Sequence, residues 1–410
     1  MDRGQFTGAS FAWNDVHLLK AVSGVGLSAG FPLDFYDKES LAADKNGSRQ
    51  HVFVSVTNFV GLASPATVGC GFGQIELWHS YDGGFTWASP PTLVQIDEVQ
   101  TTPIVDCSTG TLNQGSQVAV GPDGEVYVAW QHGPSFSSGA TVLPLAASIR
   151  VSRCDNFGAG PCTQVLDEPI NSMRLSAPQG YNRNRQNDFP RVAVAPTGPQ
   201  RGRVYVVYPT GTGSPICFAV FPGCIPTVFP DSNILLKFSD DGGMTWSAAS
   251  NVSTPGDGRK DFWPVVSADK DGNVDVVYYS SAETNVTPIT SDIECNPGAK
   301  QAGGGPAQDG KLSSLVDVFW AQSLDGASAF QTPMQVNSAT SNWCKARTNL
   351  RPTFGDYIDA KSFGNRVFVT WADGRLPAPA ADTLAPPAGP RDRESDVFYS
   401  TIKAIGRAPR

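Results

Sequence analysis

The chain has 410 residues, 42 of them Gly and 32 Pro, and only 17% are charged, against roughly 25% in an average soluble domain. Helical runs of Ala, Leu, Glu and Lys are scarce, which excludes a coiled coil or a helical bundle, and no apolar stretch reaches the about 18 residues a membrane span requires. A net charge of −8 argues against a nucleic-acid partner, while 9 Trp, 10 Tyr and 22 Phe supply a core and exclude disorder.

Taken in chain order, the predicted elements are short strands. Residues 11–19 (FAWNDVHLL) read as one strand, with Trp13 near its start. Ser40 opens a strand that leads to a second at 52–56 (VFVSV). Residues 117–130 (QVAVGPDGEVYVAW) are two alternating strands around a Pro-Asp-Gly turn. The same hairpin returns from Arg191 through 204–208, from Val265 through 279, and from Tyr357 through 367–371. The starts at Ser40, Gln117, Arg191, Val265 and Tyr357 are 77, 74, 74 and 92 residues apart, a five-fold array with one longer insertion. A third strand follows each hairpin, the last at 397–402. The segments 132–148, 209–230, 282–313 and 374–394 are rich in Gly, Pro, Ala and Ser and read as surface loops.

The eight cysteines are at 70, 107, 154, 162, 217, 224, 295 and 344. Cys154/Cys162 and Cys217/Cys224 each bracket a short loop, as a loop-closing disulfide would. Cys70/Cys107 and Cys295/Cys344 remain as partners, with connectivity left open. An oxidising compartment is expected, secreted, extracellular or periplasmic. The first residues hold no signal-peptide core, so the numbering is read as that of a mature chain. No spacing suits zinc, and no metal or cofactor is called for.

Two turns carry a resemblance. Residues 80–87, Ser-Tyr-Asp-Gly-Gly-Phe-Thr-Trp, fit Ser-x-Asp-x-Gly-x-Thr-Trp, and residues 239–246 fit it again. Residues 323–330 read as a decayed third copy and 151–157 as a weaker fourth. This pattern is similar to the Asp-box of the sialidase-like and BNR-repeat β-propellers. The resemblance implies an all-β propeller of four-stranded blades, a single domain over 1–410. The repeat count gives five blades, at about 38–112, 113–186, 187–260, 261–350, and 351–402 with 8–20; six, as in sialidases, is the alternative. The strand near the N-terminus would complete the last blade and close the ring.

Function in such a fold is expected at the central funnel, where each first strand begins. The repeats place Asp37, Lys38 and Glu39 there, then Asn113 and Gln114, then Asp188 with Arg191, then Asp261, then Arg351 with Asp356 and Tyr357. His132 and Arg375 follow second strands. Carboxylates, cations and amides on one axis suit a sugar site, so carbohydrate is the expected partner. Glu39, Asp188, Asp261 and Asp356 are candidates for acid, base or nucleophile, and Tyr357 for nucleophile. Asp37, Lys38, Gln114, Arg191, Arg351, Arg375 and His132 are candidates for binding. The same oxygens would suit Ca²⁺ as a structural ion.

The resemblance implies a retaining exo-glycosidase that grips a carboxylated sugar with three arginines. No Arg-Ile-Pro triplet, which supplies the family's first arginine, occurs here; Asp37-Lys38-Glu39 stands in its place. The expected function is a secreted, monomeric glycoside hydrolase acting on an acidic or deoxy sugar of an extracellular glycan. The alternative is a non-catalytic propeller that binds a glycan or a protein.

Overall fold

The computed structural model describes residues 2–7, 10–16, 34–44, 50–60, 72–95, 113–133, 146–173, 188–220, 223–282, 315–342, 358–373, 375 and 396–404. These residues are all-β, in largely antiparallel sheets that include two of four strands, an arrangement consistent with a β-propeller. The chain divides into two compact units, Met1–Leu143 with Ser148–Glu168, and Pro144–Ala147 with Pro169–Arg410.

In the first unit β1 (Asp2–Thr7) pairs with β2 (Ser10–Val16). One four-stranded sheet runs β3 (Asp34–Ala43), β4 (Val52–Val60), β5 (Phe72–Ser80) and β6 (Thr92–Gln95). The next runs β7 (Asn113–Val120), β8 (Val126–His132), β9 (Ala146–Cys154) and β10 (Cys162–Asn171). Between them lies a core of Phe53, Ile75, Leu77, Val118, Val126, Val128 and Trp130. Apolar residues alternate in stretches of these strands, as at Ile75 and Leu77 and at Val126, Val128 and Trp130, so one face of each sheet closes on the other. At Gly73 the two sheets approach closely: a Cβ there would come within 2.0 Å of the Asn113 carbonyl oxygen. Backbone cannot yield as a side-chain tip can, so Gly73→Ala is expected to lower stability by about 1–3 kcal/mol, read as a shifted urea midpoint.

In the second unit β11 (Arg191–Val194) and β12 (Val204–Thr212) lead, past a hairpin of β13 (Ile216–Val220) and β14 (Gly223–Val228), to β15 (Asp231–Ser239) and β16 (Ser250–Asn251). β17 (Lys260–Ala268), β18 (Val274–Ser281), β19 (Leu315–Ser323), β20 (Met334–Gln335) and β21 (Ser341–Asn342) follow. One parallel bridge, Ser232 to Lys260, joins the two groups. β22 (Asp359–Phe363), β23 (Arg366–Asp373) and β24 (Asp396–Lys403) form a three-stranded sheet. Its core with β17–β19 includes Phe262, Tyr279, Trp320, Val367 and Trp371. Asp275, fully buried on β18, accepts hydrogen bonds from Trp320 Nε1 at 3.0 Å, Gln322 Nε2 at 3.3 Å and the Ser362 hydroxyl.

One expectation changes here. The strand near the N-terminus is paired with β1, a partner two residues upstream whose closure loses little chain entropy. The fifth hairpin starts two residues later than Tyr357: Ser362 stands opposite Val367 as Ala43 does opposite Val52, which puts Asp359 in the place of Ser40.

The Ser-x-Asp turns owe their shape to one carboxylate. Asp82 Oδ1 accepts from the amides of Phe85 (2.9 Å) and Thr86 (2.8 Å), and Oδ2 from the Thr86 hydroxyl (2.7 Å). Ser80 Oγ accepts from the Gly84 amide at 2.8 Å, and Gly84, at φ 90°, adopts a backbone that suits glycine. Asp241 repeats this on Thr245, and Asp325 on Ser328 and Ala329. The backbone amides and threonine hydroxyl hold Asp82 well below the usual carboxylate range.

In the second sheet the register puts Cys154, not Ser152, in the place of Ser80: Val126 faces Cys154 as Val52 faces Ser80. Its disulfide to Cys162 closes that turn. The other six cysteines lie outside the residues whose side chains are described.

Candidate functional site

A β-bulge recurs at the start of three first strands. It falls between Asp37 and Ser40, Gln114 and Gln117, and Phe262 and Val265. Each bulge carries a left-handed residue at the same step: Lys38 at φ 62°, Gly115 at φ 72° and Trp263 at φ 48°. Two of the three are not glycine, so the chain holds this kink at a cost of about 1–2 kcal/mol each. Bulges of this kind re-aim side chains next to binding and catalytic sites.

In the second unit the bulge follows Asp261. Asp261 is 1% exposed, with the hydroxyls of Ser280 and Ser253 near enough to act on its carboxylate. Burial pushes its pKa up to about 7. Hydroxyls of Ser280 and Ser253 and the Arg259 guanidinium pull it down only in part, and Asp257 pushes it up further. The Ser280 hydroxyl accepts from Arg259 Nε at 2.6 Å, which leaves its own proton for Asp261. Arg259 also reaches Asp317 at 3.6 Å and lies 5.0 Å above the Phe319 ring. Tyr278 stacks on that ring, and burial followed by the Asp261 charge keeps its phenol protonated. The set is therefore a carboxyl group of raised pKa beside a paired arginine and a protonated phenol.

The other candidates in this unit are committed to their own chain. Asp188, fully buried, accepts from the Ser172 hydroxyl at 2.5 Å and the Met173 amide at 3.0 Å, which ties residues 172–173 to the segment leading into β11. Arg375 donates to Asp373 through Nε at 2.8 Å and through Nη2, and to Ser338 at 3.0 Å. Arg191 is half-buried at the head of β11. Arg351, Asp356 and Tyr357 lie outside the described residues.

In the first unit Glu39 is exposed on its bulge, and Lys38, nearly buried, faces Asp37 at 3.7 Å. Gln114 is buried opposite Gln131. His132 sits beside Asn113, whose Nδ2 donates to the Gly73 carbonyl at 3.2 Å. That fixes Asn113 Oδ1 as an acceptor for Trp130 Nε1 and for His132 Nδ1, both at 2.8 Å, so neutral His132 carries its proton on Nδ1. Burial first, then the Arg150 charge, lowers its pKa to about 4, while Asp167 raises it slightly.

A folded pKa below the unfolded value of about 6.5 means the unfolded chain binds the extra proton. The stability this contributes is full above pH 6.5 and is lost as pH falls from 6.5 to 4. His132→Gln, which keeps a donor, is expected to flatten that part of the acid dependence in denaturant midpoints taken from pH 7 to 4.

Three residues were not anticipated from sequence. Tyr36, Asn58 and Glu76 share one face of the first sheet, where Asn58 Nδ2 donates to Tyr36 Oη at 3.0 Å and to Glu76 Oε1 at 2.9 Å. A charged residue amid the buried strand 75–80 was the available signal. Among the described residues no group of three or more His, Cys, Asp or Glu could hold a metal ion, and no helix is long and apolar enough to cross a membrane.

No family model matches the chain, and no curated protein does. Solved structures similar to it include a protein of unknown function from Dyadobacter fermentans, at 15% identity over 84% of this chain and 77% of that one, with a TM-score of 0.42. The GH93 α-L-arabinofuranosidase of Fusarium graminearum in complex with arabinobiose is similar at 12% identity over 91% and 82%, with a TM-score of 0.40. A Hadza microbial sialidase is similar at 12% identity over 91% and 66%, with a TM-score of 0.35.

Proposed function

We propose that the chain is an extracellular, carbohydrate-active β-propeller of five blades that cleaves glycosidic bonds, with Asp261 as the general acid. Asp261 carries this reading. Burying a carboxyl group penalises its charged form, and at Asp261 the hydroxyls and the arginine beside it offset that penalty only in part. With a pKa of about 7 the group is substantially protonated at neutral pH, the state from which an acid can deliver a proton to a leaving glycosidic oxygen. In that step the proton moves from Asp261 to the oxygen as the bond to the anomeric carbon breaks, and water completes the hydrolysis. Asp356 is the candidate for the second carboxylate. The disulfide supports an oxidising location.

A second reading, a propeller that binds glycans without cleaving them, is favoured by the fate of Asp188 and Arg375. Both are occupied by partners from their own chain and offer no ready acid or fork.

Incubating the purified protein with a broad panel of glycans, with released sugars followed by mass spectrometry, separates the two. Hydrolysis that disappears in Asp261→Asn supports the first reading. Binding on a glycan array without release from any substrate supports the second.

A further inference from the structure

We infer that Tyr36, Asn58 and Glu76 form a binding site for the hydroxyl groups of a neutral sugar. The inference rests on the carbohydrate-active reading but not on cleavage.

The pairing of the strands assembles the site. Tyr36 on β3 is opposite Asn58 on β4, Asn58 is opposite Gln74 on β5, and Glu76 lies two residues further along the same face. Asn58 is 4% exposed and Glu76 is 7% exposed. The single Asn58 amide nitrogen serves both neighbours, which leaves Glu76 Oε2 and Asn58 Oδ1 as buried acceptors with no donor. Two unsatisfied acceptors side by side are expensive in a folded protein unless something with O–H or N–H groups fills the place. Tyr36 is only half-buried, so it is the side from which a ligand arrives.

Charge narrows the ligand. Lys38, two residues from Tyr36 on the same strand, already faces the Asp37 carboxylate at 3.7 Å. A sugar acid would bring another anion against Glu76 and more acceptors against Asn58. A neutral sugar brings adjacent hydroxyls, one donating to Glu76 Oε2 and one to Asn58 Oδ1. This departs from the acidic sugar expected from the family resemblance, and the departure follows from the donor-poor character of the site.

The test reads binding in the Asp261→Asn protein, so that turnover does not enter. Neutral oligosaccharides, uronate- and sialate-bearing oligosaccharides, and NaCl or CaCl₂ alone are titrated calorimetrically. Neutral sugars are expected to bind, and Glu76→Gln, which places an amide donor where the acceptor stood, is expected to weaken them by about tenfold or more. Tyr36→Phe, which leaves the two buried residues in place, is expected to weaken them by a smaller factor and serves if Glu76→Gln does not fold. Unchanged neutral-sugar affinity in the folded variants would overturn the inference, as would tighter binding of acidic sugars. Binding of a cation alone, with no sugar bound, would also overturn it by making this an ion site. Loss of the cleavage reading, seen as absent hydrolysis by the unaltered protein, leaves these binding outcomes intact.

Discussion

Replacing Asp261 with Asn raises the midpoint of thermal unfolding at pH 8 and leaves it nearly unchanged at pH 4. The folded pKa of about 7 lies above the usual aspartate value of 3.8 because burial penalises the charged form. Between these two values the folded chain holds a proton that the unfolded chain has released. Stability therefore falls as pH rises from about 4 to about 7, and stays at the lower level above that. Three pKa units at about 1.4 kcal/mol each give about 4 kcal/mol in order of magnitude. Asparagine has the shape of the protonated acid and no charge to bury, so it recovers most of this at pH 8. If Asp261 is the acid, the same substitution abolishes hydrolysis, and a variant that is more stable and inactive is the mark of a group kept for chemistry. Midpoints for the two proteins that stay parallel from pH 4 to pH 8 would show that Asp261 is ionised and satisfied in the folded chain.

Asp275→Ala is expected to destabilise the second unit by about 3–5 kcal/mol. Its carboxylate is where two β19 side chains and one β22 side chain converge: Trp320, Gln322 and Ser362 all donate to it. The Ser362 amide also donates to Ser267 Oγ at 2.9 Å, so the contact joins β17 and β18 to β22. Alanine leaves three buried donors without an acceptor and a small void beside the Trp320 ring. Each stranded donor costs about 1–3 kcal/mol, and relief of the buried charge offsets part of the total. Asp275→Asn retains one acceptor oxygen and should fall between the two. Urea unfolding of the three proteins gives the order directly, and an alanine variant within 1 kcal/mol of the parent would mean these donors find water.

The repeat and its turns were legible because they are local. Hairpin strands alternate with period two, and the Ser-x-Asp turns make their bonds within four residues. The pairing of the strand near the N-terminus with β1 was not legible, since residues 2–7 carry no alternating apolar pattern. At the site, Asp261 was found by counting along the repeat, but its burial and raised pKa depend on how the sheets pack, which counting does not show. Glu76 was missed for a related reason. Its meaning depends on standing next to Asn58, 18 residues away, and only the pairing of β4 with β5 brings them together. The bulges add to this. Asp37 and Ser40 are three residues apart, yet they face partners only two apart, Thr57 and Ser55. Alternation read from the strand interior therefore assigns the residues at its beginning to the wrong face.

The turn at 323–330 has lost the glycine, threonine and tryptophan of its fuller relatives. Ala327 holds φ 74° in place of the second glycine. Ser328 and Ala329 nevertheless donate their amides to Asp325, and Ser323 still accepts from Ala327. What the turn requires is one serine hydroxyl and one carboxylate two residues on; the rest can drift. Pattern searches that insist on the full eight-residue motif will undercount such turns in diverged chains. A pattern of Ser-x-Asp, placed directly after the third strand of a repeat, would detect them.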